Sequence, residues 1–544
     1  MKVNKKDILN IFLIFFGAGL LFIPFLGQVH LFDWDEINFA ESAREMLLTK
    51  DFLTVQIDFK PFWEKPPLFI WFQALSMSVF GINEFAARFP NAIVGIFTLI
   101  SLYLIGKKIY NRSFGMLWVF VYISSFLPFF YFKSGIIDPL FNLFIFLGVY
   151  FLINYVQKDE FSYKDNLLSA FFIGLSILTK GPVGLLIFGL TAFVYMIIRK
   201  AYKKILNPKL LLIYFLMVGF VGGFWFILQA ISGKAYLIKE FFEYQIRLFS
   251  QKDAGHGGFL FYHFVILFFG VFPASIFAIK GFFIKNEGQK KQQDFMLWMN
   301  ILFWTVLILF TIVKTKIVHY SSMCYLPLTF IAAKTIKDII DGKVEFSKWM
   351  KILQIVIAFL IGIAVILISQ IDKLKVWLIN NDLITDKFVL GNLQAQGNWN
   401  QKEAIVGILF ILIVVGAMFF KTNRKKIYGI LTGSLLFIFL GMLMIVPRVE
   451  EYSQNAEIEF FKSLKDKDCY VGAYGYKTYA QYFYTDKKIP KNPKYDDLEW
   501  LIKGKVDKPV YIVCKNVKAL DFLKNYSNFE IIKEKNGFVL LKRK

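Results

Sequence analysis

The sequence predicts an all-α polytopic membrane protein that carries a small C-terminal α/β domain. Three observations predict this class. The chain of 544 residues is 57% hydrophobic, with a mean hydropathy of +0.53, and a soluble domain with so much apolar surface would aggregate. Apolar runs long enough to cross a hydrocarbon core of roughly 30 Å recur along the chain. Basic residues then collect in alternate loops, as expected of a membrane protein with a fixed orientation.

About thirteen apolar runs reach, or nearly reach, the length of a transmembrane helix. They cover residues 8–27, 85–106, 114–132, 136–156, 166–179, 181–198, 209–230, 259–279, 295–313, 317–333, 351–370, 403–420 and 427–447. The segment 68–80 is apolar but too short to span a bilayer. We therefore expect an interfacial or re-entrant helix there.

Basic residues in the short loops predict the orientation. Lys2, Lys5 and Lys6 precede the first run, and every second gap after it is basic. This pattern indicates a cytoplasmic N-terminus, because cytoplasmic loops carry an excess of Lys and Arg. The net charge of +23 is spread over these loops, so it does not indicate a nucleic-acid partner. The long loops 28–84, 231–258 and 371–402 then lie outside, together with the tail.

The chain divides into a transmembrane domain, residues 1–447, and an extracytoplasmic α/β domain, residues 448–544. Candidate strands in the tail are Cys469–Ala473, Val510–Cys514 and Phe538–Lys542, with helical stretches near 455–465 and 517–525. Cys469 and Cys514 could form a disulfide outside the cytoplasm. Both lie in strand-like apolar stretches, which favours two separate buried thiols.

An acidic segment follows directly on the first apolar run. Asp33 and Glu36 fit a capping box at the start of a helix covering about residues 35–50. The apolar residues of that helix indicate an amphipathic helix lying in the membrane interface. Asp35 has no such structural role. Carboxylates beside a membrane span are costly, so a functional hypothesis follows for this residue.

Glu64-Lys65-Pro66-Pro67 later in the same loop is a second candidate. The two prolines stiffen the turn and restrict where the preceding side chains point. A fixed Lys65 suits an anionic phosphate, and a fixed Glu64 suits a metal or a sugar hydroxyl. The alternative is an exposed ion pair ahead of the helix at 68–80.

Asp138 lies at the outer end of the fourth predicted span, in an otherwise apolar segment. Its position before Pro139 also fits a helix N-cap, and the two roles are compatible. Lys180 and Lys316 lie on the outer face, against the positive-inside bias. A lipid phosphate explains them, and so does snorkelling toward the headgroups.

All four histidines fall on the predicted outer side. They are His30, His256, His263 and His319. Either chance and interfacial preference place them there, or they share a polar site at the outer mouth of the protein.

Five short motifs, in this order, resemble the lipid A aminoarabinose transferase family and, more broadly, the polyprenyl-phosphate-sugar-dependent glycosyltransferases of the GT-C fold, which include protein O-mannosyltransferases. They are Asp35-Glu36-x-x-x-Ala40-Glu41-x-x-Arg44-Glu45-Met46, Glu64-Lys65-Pro66, Ile137-Asp138-Pro139, Thr179-Lys180-Gly181 and Lys316-x-x-x-Tyr320. The resemblance covers roughly residues 8–335. Beyond them the chain matches in architecture only.

The resemblance implies roles for individual residues. Asp35, Glu36 and Asp138 become the catalytic carboxyl groups, within a catalytic first outer loop, residues 28–84. The residues implied at the donor phosphate are Lys65, Arg44, Lys180, Lys316 and Tyr320. In related aminoarabinose transferases the glutamate of the Glu-Lys-Pro motif helps to bind zinc, so Glu64 and His256 are the implied metal ligands. No nucleotide cofactor is implied.

Two departures leave the substrate open. Asn38 stands where aminoarabinose transferases usually have Arg, and Val318-His319 replaces a Pro-Thr pair before Tyr320. The expected function is therefore transfer of a sugar from a polyprenyl (undecaprenyl) phosphate carrier to lipid A, another glycolipid or a protein. The reaction would invert the sugar carbon at the outer face of the bacterial inner membrane. A lipid or polysaccharide transporter or flippase, or a ligase that moves a whole glycan, is the alternative.

Overall fold

A computed structural model of the chain describes residues 4–250, 257–285 and 287–544. Helices dominate the part before residue 450. The first twelve are α1 (Lys5–Phe22), α2 (Asp35–Thr49), α3 (Leu68–Phe80), α4 (Glu84–Ile109), α5 (Arg112–Ile123), α6 (Phe126–Tyr131), α7 (Asp138–Gln157), α8 (Tyr163–Lys180), α9 (Val183–Arg199), α10 (Tyr202–Ile205), α11 (Pro208–Ile231) and α12 (Ala235–Ser250). A two-stranded hairpin in the first loop pairs β1 (Gln56–Ile57) with β2 (Lys60–Pro61).

The helical part continues after residues 251–256, which the structure does not describe. Its elements are α13 (Tyr262–Gly270), α14 (Ala274–Phe282), α15 (Lys290–Ile312), a 3-10 helix (Val318–Cys324), α16 (Tyr325–Ile340), α17 (Lys348–Ser369), α18 (Ile371–Asn380), α19 (Lys387–Leu393), α20 (Glu403–Ala417), α21 (Asn423–Met444) and α22 (Val446–Glu450).

Each of the thirteen predicted spans coincides with one helix or with a broken pair of helices. Among the described residues, six helices are long and apolar enough to cross a membrane by themselves, namely α4, α7, α11, α15, α17 and α21. The pair α13 and α14 adds a seventh if it is counted as one span bent by 119°. The other predicted spans are shorter, more charged or interrupted. The chain is therefore a multi-pass helical membrane protein, and length and composition alone support fewer than thirteen full spans.

Helix α2 begins where the sequence predicts, but two expectations about it are wrong. Its N-cap is Trp34, and no side chain caps its first turn, so Asp33 and Glu36 do not form a capping box. Every residue from Glu36 to Met46 is buried, so α2 is not a helix lying in the membrane interface. It is covered by α3, α4 and the C-terminal part of the chain.

The C-terminal part contains a four-stranded sheet of order β3-β4-β6-β5. Its elements are α23 (Asn455–Lys462), β3 (Tyr470–Tyr474), α24 (Ala480–Tyr484), α25 (Leu498–Lys503), β4 (Val510–Lys515), α26 (Asn516–Asn525), β5 (Phe529–Lys535) and β6 (Phe538–Arg543). Strand β3 runs parallel to β4, whereas β6 is antiparallel to both β4 and β5. The sequence did not predict β5, since most of its residues are exposed at the edge of the sheet. Cys469 and Cys514 are separate thiols.

This C-terminal unit is docked on the first outer loop. The Tyr484 hydroxyl accepts a hydrogen bond from the backbone N–H of Leu31 at 2.7 Å, and Lys487 pairs with Asp58 at 2.5 Å. Part of its apolar core is continuous with the core of the helical domain. The predicted boundary after residue 447 falls within α22 (Val446–Glu450), and the apolar packing on its two sides is shared. The docked unit forms one wall of a cavity.

Candidate active site

A cavity of about 750 Å³ opens between the first loop, the ends of several long helices and the C-terminal unit. Its walls come from the start of α2, the turn at residues 64–65, the start of α7 and the end of α8. Helix α12, the 3-10 helix and the segment after β3 complete it. Six of the predicted site residues line it and do not have all their polar atoms bound by buried groups. They are Asp35, Glu64, Lys65, Asp138, Lys180 and Tyr320.

Asp138 and Lys180 form an ion pair in the cavity wall. Asp138 is the first residue of α7 and Lys180 the last residue of α8, and the Lys180 Nζ lies 2.6 Å from Asp138 Oδ1. Ile137, rather than Asp138, is the N-cap of α7. Asp138 Oδ2 is buried and meets no hydrogen-bond partner within the described ranges. The pair therefore leaves one carboxylate oxygen without a partner among the described residues.

The Lys180 ammonium is also held over aromatic rings. Its Nζ lies 5.5 Å from the centre of the Tyr320 ring and 5.7 Å from that of Phe141. A cation within about 6 Å of a ring face is attracted by the ring quadrupole. Tyr320 therefore helps to place the positive charge of Lys180 at this wall.

Asp35 lies opposite a histidine. The His319 Nε2 is 3.4 Å from Asp35 Oδ2, and both side chains line the cavity. The Asp35 side chain is 36% exposed, whereas that of His319 is 15% exposed. The Asp35 carboxylate is therefore more accessible than the imidazole beside it.

Lys65 and Arg247 flank one aromatic ring at another corner. The Lys65 Nζ and the guanidinium carbon of Arg247 each lie 5.2 Å from the centre of the Tyr244 ring. All three residues line the cavity. Two cations brought together in this way make a corner that attracts an anion.

The C-terminal unit supplies a wall that the sequence reasoning missed. The Lys477 ammonium lies 4.9 Å from the Trp34 ring and 5.1 Å from the Tyr479 ring, and all three residues line the cavity. The signal that could have found this wall is the run of Tyr residues between 474 and 484, together with Trp34 beside Asp35.

Glu36 borders the cavity, but its carboxylate is committed elsewhere. Both oxygens accept bonds from the Arg88 guanidinium, at 2.7 and 2.9 Å, and from the backbone N–H groups of Phe32 and Gly135. Burial by itself raises the pKa of Glu36, but the Arg88 charge and these donors outweigh it and lower the pKa. A carboxylate held ionised by four donors is a poor proton acceptor. We therefore assign Glu36 a structural role instead of a catalytic one.

Arg44 and Lys316, unlike Glu36, do not line the cavity. Arg44 is fully buried and binds Glu41 with two nitrogens, at 2.7 and 2.8 Å, and Asp486 with a third. The Lys316 Nζ donates to the carbonyls of Phe310, Thr311 and Val313, which end helix α15. A lysine in that position satisfies the last carbonyls of a helix. Arg44 therefore anchors the C-terminal unit, and Lys316 caps a helix.

The predicted metal site has one ligand in the described part of the structure. Glu64 lines the cavity, whereas His256 lies outside the described residues. Among the described residues there is no group of three or more His, Cys, Asp or Glu side chains that could hold a metal ion. The described residues therefore supply one of the two implied ligands, Glu64.

Comparison with solved structures defines the fold. The chain superposes on the crystal structure of ArnT from Cupriavidus metallidurans bound to undecaprenyl phosphate with a TM-score of 0.74, covering 99% of this chain and 97% of that one at 15% identity. The apo crystal structure of the same protein gives a TM-score of 0.71. The architecture is thus the GT-C type that the motifs imply.

Comparison of sequences points the same way. The profile of the dolichyl-phosphate-mannose-protein mannosyltransferase family matches residues 64–241. An undecaprenyl phosphate-alpha-4-amino-4-deoxy-L-arabinose arabinosyl transferase of Wigglesworthia glossinidia brevipalpis is 27% identical over 62% of this chain and 60% of its own length. A second transferase of that name, from Proteus mirabilis, is 28% identical over 84% of this chain and 80% of its own. The predicted resemblance to aminoarabinose transferases and protein mannosyltransferases is therefore confirmed.

Proposed function

We propose that the protein is an integral-membrane glycosyltransferase that moves a sugar from a polyprenyl phosphate carrier to an acceptor in the cell envelope. The observation that carries this proposal is one cavity in which Asp35 and Asp138 lie among Lys65, Lys180 and Arg247. A sugar carbon bonded to phosphate is already activated, so the enzyme has to stabilise the leaving phosphate and orient the acceptor. Cations and carboxylates in one cavity supply both requirements.

Lys65 and Lys180 are the groups we assign to the donor phosphate. Lys65 shares its corner with Arg247 across the Tyr244 ring, and this corner has no carboxylate ion pair to Lys65 among the described residues. Lys180, by contrast, is already paired with Asp138. We therefore expect Lys65 to contribute more to donor binding, and the Asp138–Lys180 pair to orient the phosphate and the sugar.

Asp35 is the group we assign to the acceptor. Its side chain is 36% exposed, against 3% for Asp138, and it lies beside the C-terminal wall of Trp34, Lys477 and Tyr479. An acceptor that approaches along this wall would meet Asp35 before it meets Asp138. Direct displacement of the phosphate by the acceptor would invert the configuration of the sugar carbon.

We further propose that about thirteen helical segments cross the bacterial inner membrane, with the cavity and residues 448–544 on the extracytoplasmic side. The alternating basic loops support this orientation. A reporter active only in the cytoplasm, fused after Lys544, should be silent, and an active reporter would contradict the topology. Lipid A, another glycolipid or a protein is the acceptor class at that face.

The direct test is sugar transfer by the purified protein in proteoliposomes. Undecaprenyl phosphate carrying a radiolabelled sugar serves as donor, and extracted envelope material of the host serves as acceptor. We expect label to move to the acceptor and free undecaprenyl phosphate to appear, and both to fail with Asp35→Asn. Label that crosses the bilayer still attached to its carrier, without transfer, would instead indicate a flippase.

A further inference from the structure

Two of the carboxylates that line the cavity, Asp138 and Asp35, have partners of different kinds. Asp138 is 3% exposed and pairs with Lys180, whose charge is permanent at neutral pH. Asp35 is 36% exposed and faces His319 at 3.4 Å. An imidazole can donate a hydrogen bond without carrying a charge. Asp35 can therefore have a neutral donor as its partner, whereas the partner of Asp138 is an ammonium group.

The groups around His319 come from every side of the cavity. The charged groups that face it are Asp35 from α2, Asp138 from α7, Lys180 from α8 and Lys65 from the first loop, with Lys316 and His263 beyond its own turn. Because Lys180 is already bonded to Asp138, the remaining short contact of the His319 ring with a carboxylate is the one to Asp35. At 3.4 Å this is an electrostatic contact, longer than a usual charge-assisted hydrogen bond.

We propose that His319 is a positioning residue for Asp35, and that the pair serves an acceptor that attacks through a hydroxyl group. The proposal rests on the proposed function. His319, with its proton on Nε2, donates to Asp35 Oδ2 and holds the carboxylate toward the cavity. Asp35 then presents its other oxygen to the acceptor.

The transfer step can be written with this pair. The acceptor oxygen forms a bond to the sugar carbon, while its proton passes to Asp35. The bond between that carbon and the phosphate oxygen breaks, and its electron pair stays on the carrier phosphate beside Lys65. The proton on Asp35 then leaves to water. His319 keeps its own proton throughout.

A hydroxyl acceptor fits this arrangement better than a phosphate acceptor. A phosphate monoester is already anionic at neutral pH and needs no base. It would also meet the like charge of Asp35, which is unfavourable. A hydroxyl group has to lose a proton as it attacks, and a positioned carboxylate accelerates that transfer by about 10²–10⁴-fold. A histidine that holds the carboxylate in place would be of use only for the hydroxyl.

Two variants of His319 test its role, measured as transfer rate against pH. His319→Gln keeps an N–H donor but does not titrate, so we expect a rate within about five-fold of the parent. Because it has no titrating ring, this variant should lose the part of the pH profile that follows protonation of the imidazole. His319→Leu removes the donor and should lower the rate about ten- to a hundred-fold, with an unchanged KM for the donor. His30→Gln is the matched control, since His30 pairs with Glu450 outside the cavity.

The chemical nature of the product tests the acceptor class. Label transferred from undecaprenyl phosphate to host envelope material should resist mild acid, as a glycoside of a hydroxyl group does, whereas a glycosyl phosphate is released. Acid-labile label, or equal rates and pH profiles for the parent and both His319 variants, would overturn this inference and leave the glycosyltransferase intact. No transfer by the parent protein would overturn the proposed function and this role together.

Discussion

Helix α2 uses acidic residues for two different purposes, one in its buried part and one at its first residue. On its buried side, Glu36 is bonded to Arg88, and Glu41 to Arg44, with both pairs almost completely removed from solvent. At its exposed start, Asp35 faces an open cavity and a histidine. A charge that is sealed in by several donors holds the fold together, whereas a charge that keeps an open side is available to a substrate. Neighbouring acids one residue apart thus have opposite roles.

The largest expected effect breaks the buried side. Arg88→Ala leaves Glu36 without its main partner in a site where both side chains are 5% exposed. Removing one member of a buried ion pair costs about 3–5 kcal/mol, because an uncompensated charge remains. We expect a large loss of folded protein, measured by thermal unfolding in detergent. The double variant Arg88→Met with Glu36→Gln should recover most of that stability, and a failure to recover would contradict the pairing.

The next effect breaks the open side. Asp35→Asn keeps the size of the side chain but removes its basicity, so transfer should fall about a hundred-fold or more, with little change in unfolding temperature. Asp33→Asn is the comparison variant; Asp33 also lines the cavity but, among the described residues, has no contact like that of Asp35 with His319, so we expect this variant to retain more activity. The comparison requires equal membrane abundance of both variants and the same labelled donor. An active Asp35→Asn beside an inactive Asp33→Asn would reassign the acid within this motif.

A smaller effect sharpens the assignment of the donor corner. Lys65→Ala should weaken use of the carrier lipid about ten- to a hundred-fold, since a hydrogen bond to a charged group contributes roughly 1.5–3 kcal/mol. Lys60→Ala is the matched control on the same loop, because Lys60 pairs with Asp496 at an exposed position. The measurement is the transfer rate at limiting donor. Equal rates for the two variants would remove Lys65 from the donor site.

The smallest effect concerns the packing inside the C-terminal unit. Burial raises the pKa of Glu457 to about 7, although the Tyr476 hydroxyl donates to it at 2.8 Å. Because the folded protein holds this proton more tightly than the unfolded chain, stability from this group is present below pH 4.5 and is lost as the pH rises through about 7. Unfolding measured between pH 5 and 8 should show a loss of the order of 1–2 kcal/mol. Glu457→Gln should abolish that slope, and an unchanged slope would place its origin elsewhere.

The sequence by itself determined the helical membrane architecture and the positions of most elements. A run of about twenty apolar residues is a local property, and the bilayer accepts it only as a helix. Local sequence also predicted the start of α2, the short length of α3, and three of the four strands in the C-terminal sheet. Short motifs also named Asp35, Lys65, Asp138 and Lys180, which the tertiary structure brings to one cavity.

Only the tertiary structure decided what each charged residue does. Glu36 finds Arg88 across 52 positions, and Arg44 finds Asp486 across 442 positions. Lys316 turns back to the end of its own preceding helix, and Lys477 arrives at the cavity from the C-terminal unit. Whether a buried charge is neutralised or left open depends on the groups that surround it in space. Local sequence carries no record of those groups, because the long-range packing of helices and sheet brings them together.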